Sequence, residues 1–414
     1  MHRRSFLTAA AAAGAASALV PAAARAAGPP ALKPMTAGAK PISREERLAR
    51  IARLQRLMAD QGVGAMIMES GSSLDYFTGV QWRRSERTTA AVIPARGDPM
   101  IVTPAFEEPS VRETLAVGGD VRPWDEHESP FVRIVQALRD RGVASGSIAF
   151  EDTTRLFIVD GVREASPAYR VVSGTGLVRA CRLIKSPAEL ALMQTANDVT
   201  LAALRHVHAN VRPGMTPGEI ATLMDSATVA LGGAPEFALV LINEASAYPH
   251  GSRQAQTLRE GSVILMDVGC TVHGYQSDIS RTWVVGSPTA RERKVWDTVK
   301  RGQEIALQVA RPGIPVGAVD DAVRAYYERE GWGPGYHLPG LSHRTGHGIG
   351  LDGHEPPYLV HGDATPLAPG MCFSDEPGLY IPGEFGIRLE DCWHMTEAGP
   401  KLFTPLAKSI DDPI

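Results

Sequence analysis

The chain has 414 residues, of which 44% are hydrophobic and 21% are charged, and its formal net charge is −4. This length is typical of a protein with two domains, each with its own core. The weak negative charge provides no basic field for nucleic acid, so we expect no nucleic-acid partner. No run of 18 or more strongly apolar residues occurs, and we therefore expect no membrane span.

The N-terminus is typical of a twin-arginine export signal. Residues 1–26 begin with the pair Arg3 and Arg4, continue with a mildly apolar Ala/Gly stretch and end in Ala24-Arg25-Ala26, a small-residue cleavage site. Such a signal is read by the twin-arginine export machinery and removed near Ala26. The alternative is a disordered, alanine-rich tail. We therefore expect a periplasmic protein.

A small α/β domain is predicted for residues 43–180, after a proline- and alanine-rich linker at residues 27–42. Its first helix would begin at Ser43, which can form a capping box with Glu46. The strand-like runs AMIM, TAAVIP and MIVT then alternate with helical stretches. This region contains no cluster of residues with catalytic chemistry.

The second domain, residues 187–410, almost repeats itself. Its first helix would begin with another capping box, between Ser186 and Glu189. The segment VRPGMTPGEI resembles the later ARPGIPVGAV, and EGSVILMD resembles the later PGMCFSDE, in the same order. We favour duplication over chance similarity and predict two halves, each with two helices followed by a strand that ends in an acid.

The stretch SVILMDVGCTVHGYQSDISRTWVVG predicts a hairpin that turns around His273-Gly274. With an even-numbered loop, Asp267 and Asp278 would lie directly opposite each other, with Cβ atoms about 4.5–5.5 Å apart. Carboxylates buried in so apolar a strand are costly without a partner, which indicates a divalent cation between them. A loop shifted by one residue would instead leave both acids on solvated faces.

A second hairpin, MCFSDEPGLYIPGEFGIRLEDCW, supplies Glu376 and Glu390 in similar apolar surroundings. Arg388 precedes Glu390 by two residues and shares its strand face, where it could steady a carboxylate. Asp375 and Asp391 alternate to the opposite face and are poorer candidates. The cysteines are too few and too scattered for a disulfide framework, and we expect buried thiols at Cys270, Cys372 and Cys392.

Between the hairpins, HRTGHGIGLDGHEPP holds three histidines among glycines that allow close backbone approach around His347. Four carboxylates and one imidazole then form a candidate ligand set: Asp267, Asp278, His347, Glu376 and Glu390. Such an oxygen-rich, mixed set suits two divalent ions, most of all Mn²⁺, with Co²⁺, Fe²⁺ or Zn²⁺ as alternatives. Two ions can activate water and polarise a carbonyl, so hydrolysis would need no protein nucleophile.

These five residues, in this order and in the contexts GHGIGLDGHEPP and GIRLED, resemble the methionine aminopeptidase, aminopeptidase P and prolidase family of metallopeptidases. The resemblance spans about residues 187–406, and the preceding domain resembles the creatinase-type N-terminal domain of prolidases. It implies an α+β pita-bread fold with pseudo-twofold halves behind a smaller α/β domain. It also implies a homodimer that cleaves short proline-containing peptides after the residue that precedes proline.

The resemblance assigns a role to each matching ligand. Asp267 would bind one metal ion and His347 the other, whereas Asp278 and Glu390 would bridge both ions. Glu376 would bind metal and act as general base.

The resemblance also places three histidines on the substrate side. His354 would steady the tetrahedral intermediate and the scissile carbonyl, and His250 would lie at the mouth of the pocket. His343 matches a third pocket histidine, seen chiefly in proline-specific members.

One position departs from the prolidase pattern. Tyr358 stands where many prolidases carry an arginine for the free carboxylate of an Xaa-Pro dipeptide. Arg344 could substitute, as could Arg83 or Arg84 from the N-terminal domain of a partner subunit. The words HEPP and EPGLYIP resemble those of prolidases and favour an Xaa-Pro dipeptidase, whereas the tyrosine at position 358 leaves an Xaa-Pro aminopeptidase open.

Two other function classes remain open. One is a hydrolase or lyase on the same scaffold, acting on a small creatine-, ectoine- or dimethylsulfoniopropionate-like substrate. The other is a non-catalytic peptide-binding module, which the complete ligand set disfavours.

Overall fold

The computed structural model describes residues 32–414. The predicted export signal, residues 1–26, lies outside these residues. Within them, no helix is both long and apolar enough to cross a membrane. The residues from Lys33 onwards form one unit, which contains two layered regions.

The first region is a mixed six-stranded sheet between two layers of helices. Its strands are β1 (Val63–Glu69), β2 (Ala90–Pro94), β3 (Met100–Pro104), β4 (Asp120–Trp124), β5 (Gly146–Phe150) and β6 (Tyr169–Ser173). Its helices are α1 (Arg44–Asp60), α2 (Ser72–Thr78), α3 (Glu108–Thr114), α4 (Pro130–Asp140), α5 (Leu156–Ala165) and α6 (Thr175–Arg182). The strand order is β4-β3-β2-β1-β5-β6. The runs predicted as strands fall in β1, β2 and β3, and β2 and β3 are buried throughout because helices cover both faces.

The first helix begins where it was predicted, but its capping box is only half formed. Ser43 accepts a hydrogen bond from the backbone N–H of Glu46, at 3.2 Å. The Glu46 carboxylate does not return to the cap; it accepts from Arg50 at 2.8 Å and from Ser186 of the second region at 2.7 Å. A contact between regions thus replaces the local one. The box predicted at Ser186 is complete.

The second region consists of two similar halves. Its helices are α7 (Pro187–Asn210), α8 (Pro217–Ala230), α9 (Ala290–Val309) and α10 (Val316–Arg329). The strands of the first half are β7 (Ala234–Ile242), β8 (Val263–Val272), β9 (Tyr275–Gln276) and β10 (Ile279–Val284). Those of the second half are β11 (Gly346–Gly348), β12 (Glu355–Leu359), β13 (Cys372–Asp375), β14 (Gly378–Ile381), β15 (Phe385–Arg388), β16 (Asp391–Thr396) and β17 (Gly399–Leu402).

The two halves repeat one plan, as the sequence predicted. The first sheet has the order β10-β8-β7, with β9 paired to β8, and the second has the order β12-β11-β13-β16-β17. The two resembling proline-glycine segments join α7 to α8 and α9 to α10. The strands that lead to the predicted acids lie at the centre of their respective sheets: β8 contains Asp267, and β13 ends one residue before Glu376.

The hairpin that carries Asp267 turns where predicted, but its register differs from the prediction. His273 and Gly274 both have positive φ, 49° and 82°, as a two-residue type I′ turn requires. The centre of the loop therefore lies one residue later than predicted, and Asp267 pairs with Ser280. Asp278 becomes a diagonal neighbour of Asp267 on the same face. The prediction of directly opposed acids is wrong, whereas their shared face is retained.

In the second hairpin, by contrast, the two predicted acids do lie directly opposite each other. The β13–β16 and β14–β15 pairs follow one continuous register. That register places Glu376 opposite Glu390 in the short gap between the two pairs. Asp375 pairs with Asp391 one step further out, and both are fully buried. The Asp391 carboxylate faces Arg281, on the side away from the other acids.

All four cysteines are free, buried thiols, as was predicted for Cys270, Cys372 and Cys392. Burial raises the pKa of Cys181 to about 11 and the pKa of Cys372 to about 12. Because the thiolate is the reactive form, these side chains act as small apolar groups of the core.

Candidate metal centre

The five candidate ligands come together where the two halves of the second region meet. Asp267 on β8 and Asp278 before β10 come from the first half; His347 on β11, Glu376 after β13 and Glu390 before β16 come from the second. Ligand atoms of Asp267, Asp278 and Glu390 lie within 4.8 Å of one another, and so do those of His347, Glu376 and Glu390. The two groups share Glu390, so they form two adjoining positions.

The imidazole of His347 faces the acids. Its Nε2 lies 3.4 Å from Glu376 Oε1, 3.6 Å from Asp278 Oδ2 and 4.0 Å from Glu390 Oε1. Its Nδ1 lies 3.0 Å from the carbonyl of Gly348, and donation to that carbonyl leaves a lone pair on Nε2. Burial lowers the pKa of His347 well below its usual value. The side chain is therefore a neutral imidazole, the form that binds metals.

Three carboxylate oxygens of the cluster have no hydrogen-bond partner within residues 32–414. They are Oδ1 of Asp267, Oδ1 of Asp278 and Oε1 of Glu390, and all three are buried. Burial and the neighbouring carboxylates raise the pKa of Asp278 and of Glu390 well above the usual range. Such a cluster is costly unless a cation compensates it. The donor set therefore fits divalent metal ions, because the orphaned oxygens are the atoms that a cation would contact.

Glu376 is the less deeply buried of the two acids in the second group. Its side chain is 14% exposed, against 2% for Glu390. Burial raises the pKa of Glu376 to about 7. A carboxylate with these properties can reach an incoming substrate and can exchange a proton near neutral pH.

Arg388 steadies both ends of the acidic cluster. Its Nη2 donates to Asp267 Oδ2 at 2.6 Å, and its Nε donates to the hydroxyl of Ser280 at 2.9 Å. Ser280 in turn donates to Glu390 Oε2 at 2.8 Å. The sequence placed Arg388 beside a carboxylate of its own strand face; the structure places it in direct contact with Asp267 and connects it to Glu390 through Ser280.

Tyr380 belongs to the site, although the sequence analysis missed it. Its hydroxyl accepts from Arg388 Nη1 at 3.1 Å and lies 2.6 Å from Nε2 of His343. Nδ1 of His343 lies 2.7 Å from the carbonyl of Arg344; we assign the proton to Nδ1, so Tyr380 donates to Nε2. Burial lowers the pKa of His343 to about 3, which keeps the ring neutral. The available signal was strand alternation, because Tyr380 and Arg388 share a face of the β14–β15 hairpin.

The remaining two histidines lie closer to solvent. His354 stacks on His347, with ring centroids 3.7 Å apart and an interplanar angle of 27°. Partial burial and the charge of Arg344 lower the pKa of His354. His250 is exposed on the loop after the 3₁₀ turn Asn243–Ala247, and the carbonyl of the preceding Pro249 accepts from Arg388 at 3.2 Å.

A cleft of about 360 Å³ opens beside His354, between the two layered regions. The first region contributes Arg84 and Arg179 to its lining, and the second contributes His354 and Tyr358. Tyr358 pairs with His347 across the β11–β12 ladder and lies under the guanidinium of Arg344, 4.1 Å from the ring centroid. Of the other arginines considered from the sequence, Arg84 pairs with Glu69 at 2.9 Å, and Arg83 is exposed on the same loop.

Comparison with known proteins agrees with this architecture. Residues 191–397 match the family described as metallopeptidase family M24, and residues 50–184 match the creatinase/prolidase N-terminal domain. An uncharacterised peptidase of Schizosaccharomyces pombe is 34% identical over 92% of this chain and 86% of its own. A Xaa-Pro dipeptidase of Lactobacillus helveticus is 30% identical over 86% of this chain and 97% of its own.

The solved structures agree as well. The crystal structure of dipeptidase PepE from Mycobacterium ulcerans matches with a TM-score of 0.80 and 31% identity, over 88% of this chain and 97% of the other. The predicted fold class, a pita-bread domain behind a creatinase-type domain, is confirmed. The chain belongs to metallopeptidase family M24.

Proposed function

We propose that this protein is a dinuclear-metal Xaa-Pro peptidase, which hydrolyses the bond between an N-terminal residue and proline. The observation that carries the proposal is the trio of buried, unpartnered carboxylate oxygens on Asp267, Asp278 and Glu390, next to the lone pair of His347. Family membership supports hydrolysis of a peptide bond. The Lactobacillus relative is named for Xaa-Pro dipeptides, and this name supports the proline specificity.

The proposed ligands divide into two sets. Asp267 would hold one ion and His347 the other, Asp278 and Glu390 would contact both, and Glu376 would complete the second set. Four carboxylates and one imidazole favour Mn²⁺ among the available divalent ions. When bound, the two ions would supply Lewis acidity, which lowers the pKa of water and polarises a peptide carbonyl.

Side chains of the protein would then transfer protons and stabilise the developing charge. Glu376, with its raised pKa and solvent access, would take up the proton of the attacking water and deliver it to the leaving proline nitrogen. His354 receives a hydrogen bond from Arg344 at Nδ1, at 3.3 Å, so we assign its own proton to Nε2. That N–H would stabilise the oxyanion that develops on the scissile carbonyl.

Two further histidines would shape the pocket. Both ring nitrogens of His343 are engaged, with Tyr380 and with the carbonyl of Arg344, so this side chain offers the substrate a fixed, neutral ring. His250, which is exposed on its loop, would form part of the pocket mouth.

The test of the proposed function is hydrolysis of three peptides by the protein in Mn²⁺: Ala-Pro, Ala-Pro-Ala and Ala-Ala-Ala. We expect release of free alanine from at least one proline peptide and no comparable release from Ala-Ala-Ala. Cleavage of Ala-Pro alone identifies a dipeptidase, and cleavage of Ala-Pro-Ala alone identifies an aminopeptidase. If metal binds and neither proline peptide is cut, the proposal is wrong and a small-molecule substrate becomes the better hypothesis.

We also propose that the protein is exported by the twin-arginine pathway and acts in the periplasm as a homodimer. The Arg3-Arg4 pair and the Ala24-Arg25-Ala26 site support export. Replacing both N-terminal arginines with lysine should shift the protein from the periplasmic to the cytoplasmic fraction. Unchanged periplasmic accumulation would contradict export by this pathway, and a sedimentation mass equal to one chain would contradict the dimer.

A further inference from the structure

Arg344 stands at the edge of the metal centre and is held there by two neighbours. Its guanidinium lies over the ring of Tyr358, 4.1 Å from the centroid, and its Nη2 lies 3.3 Å from Nδ1 of His354. Arg344 is half-buried and precedes His347 by three residues, in the irregular segment that leads into β11. Stacking on an aromatic ring restricts a guanidinium to one plane while its outer edge stays free to donate.

The charge of Arg344 has no acidic partner among the residues that the structure describes. The three arginines that line the adjoining cleft, by contrast, each face an acid, in the pairs Arg84–Glu69, Arg179–Asp152 and Arg182–Glu355. Arg388, which is near the metal centre, forms a salt bridge with Asp267. A half-buried cation that is fixed in position and lacks an anion is complementary to an anionic part of the substrate.

The position of Arg344 matches the free carboxylate of an Xaa-Pro dipeptide. In such a substrate the carboxylate is carried by the proline itself, roughly one residue length of 3.3–3.6 Å from the scissile bond. The anion must therefore bind next to the metal centre. Arg344 meets this requirement because it contacts His354, whose nitrogen lies within 4.8 Å of ligand atoms of Asp278 and His347. Arg84 and Arg179 line the cleft from the first region and are already paired with acids.

We propose that Arg344, positioned by Tyr358, binds the C-terminal carboxylate of the dipeptide and makes the enzyme prefer Xaa-Pro dipeptides to longer peptides. This inference rests on the proposed function. A carboxylate can accept two parallel hydrogen bonds from the guanidinium edge. A longer peptide presents a neutral amide at the same place, which leaves the cation unmatched and reduces binding.

The test compares Ala-Pro with its C-terminal amide, which differ only in the charge that Arg344 would bind. For Arg344→Ala we expect kcat/KM for Ala-Pro to fall by roughly 30-fold or more, mainly through KM, because a charge-assisted bidentate contact is lost. The amide should lose much less, so the acid-to-amide ratio of kcat/KM collapses. That ratio cancels any effect that Arg344 has on His354. Arg179→Ala is the matched control, since it removes a paired arginine from the same cleft and should leave the ratio unchanged.

The outcomes separate this inference from the proposed function. An Arg344→Ala variant that keeps the wild-type acid-to-amide ratio overturns the inference, and continued cleavage of both substrates leaves the proposed function intact. A wild-type protein that cleaves neither proline substrate overturns both. Should Arg344→Ala prove inactive on both substrates, Tyr358→Leu gives the same readout, because it keeps the charge and removes its support. A lowered ratio in that variant supports the inference, and an unchanged ratio overturns it.

Discussion

Replacing Asp278 with asparagine should lower kcat/KM for a proline peptide by about a thousandfold, equivalent to about 4 kcal/mol of transition-state stabilisation. Ligand atoms of Asp278 lie within 4.8 Å of those of Asp267 and Glu390 in one group and of those of His347 and His354 in another. Asparagine preserves its size but removes the negative charge that would hold two cations together. Steady-state kinetics in Mn²⁺ measures the effect.

The same substitution should leave the stability of the metal-free protein unchanged or increase it. Burial and the neighbouring carboxylates raise the pKa of Asp278, so removing its charge relieves both a desolvation cost and repulsion. We expect Asp278→Asn to match or exceed the wild-type melting temperature in a chelator and to gain little from Mn²⁺. Asp198→Asn, the same chemical change on the exposed face of α7, serves as control. A variant that retains the wild-type rate, or the full stabilisation by metal, would show that Asp278 is not a ligand.

Replacing Arg281 with methionine should destabilise the fold by about 3–5 kcal/mol, the usual cost of leaving one buried charge without its partner. Arg281 and Asp391 are completely buried, with Nη2 and Oδ1 2.6 Å apart. Nη1 of Arg281 also donates to the carbonyls of Ser280 at 3.0 Å and of Glu390 at 2.6 Å. This side chain therefore joins the first half to the second directly behind the metal centre.

Urea unfolding of the two proteins measures the loss. The matched control is Arg291→Met, which breaks the exposed pair with Glu384 and should cost less than about 1 kcal/mol. If both substitutions have equally small effects, the buried pair does not hold the halves together. A double replacement of Arg281 and Asp391 by apolar residues should recover part of the loss, because no lone charge remains.

The sequence predicted the duplicated halves and the clustering of the five candidate ligands because these features depend on local pattern. An acid within an apolar strand is conspicuous, as at Asp267, and strand alternation separates Glu376 and Glu390 from their neighbours Asp375 and Asp391. The hairpin register was harder, since it depends on which two residues adopt positive φ. The error did not separate Asp267 from Asp278, because moving the loop centre by one residue shifts the pairing by two and preserves the face.

Features that depend on long-range packing could not be predicted in this way. The Glu46 carboxylate accepts a hydrogen bond from Ser186 instead of one from its own helix cap, because the two regions pack together. Strand alternation could place Tyr380 on the same face as Arg388, but its contact with His343 depends on the packing of a distant segment. Likewise, the sequence offered Arg344 as one of several arginines, and the structure distinguishes it by its stacking on Tyr358 and its contact with His354.

The most direct test of a two-metal Xaa-Pro peptidase is a titration of chelator-treated protein with Mn²⁺. Bound metal per chain and hydrolysis of Ala-Pro and Ala-Pro-Ala would be measured in the same samples. We predict no hydrolysis in the metal-free protein and a rise in hydrolysis that reaches its plateau as two ions bind per chain. Hydrolysis that survives complete removal of metal, or two bound ions without cleavage of either proline peptide, would contradict this function.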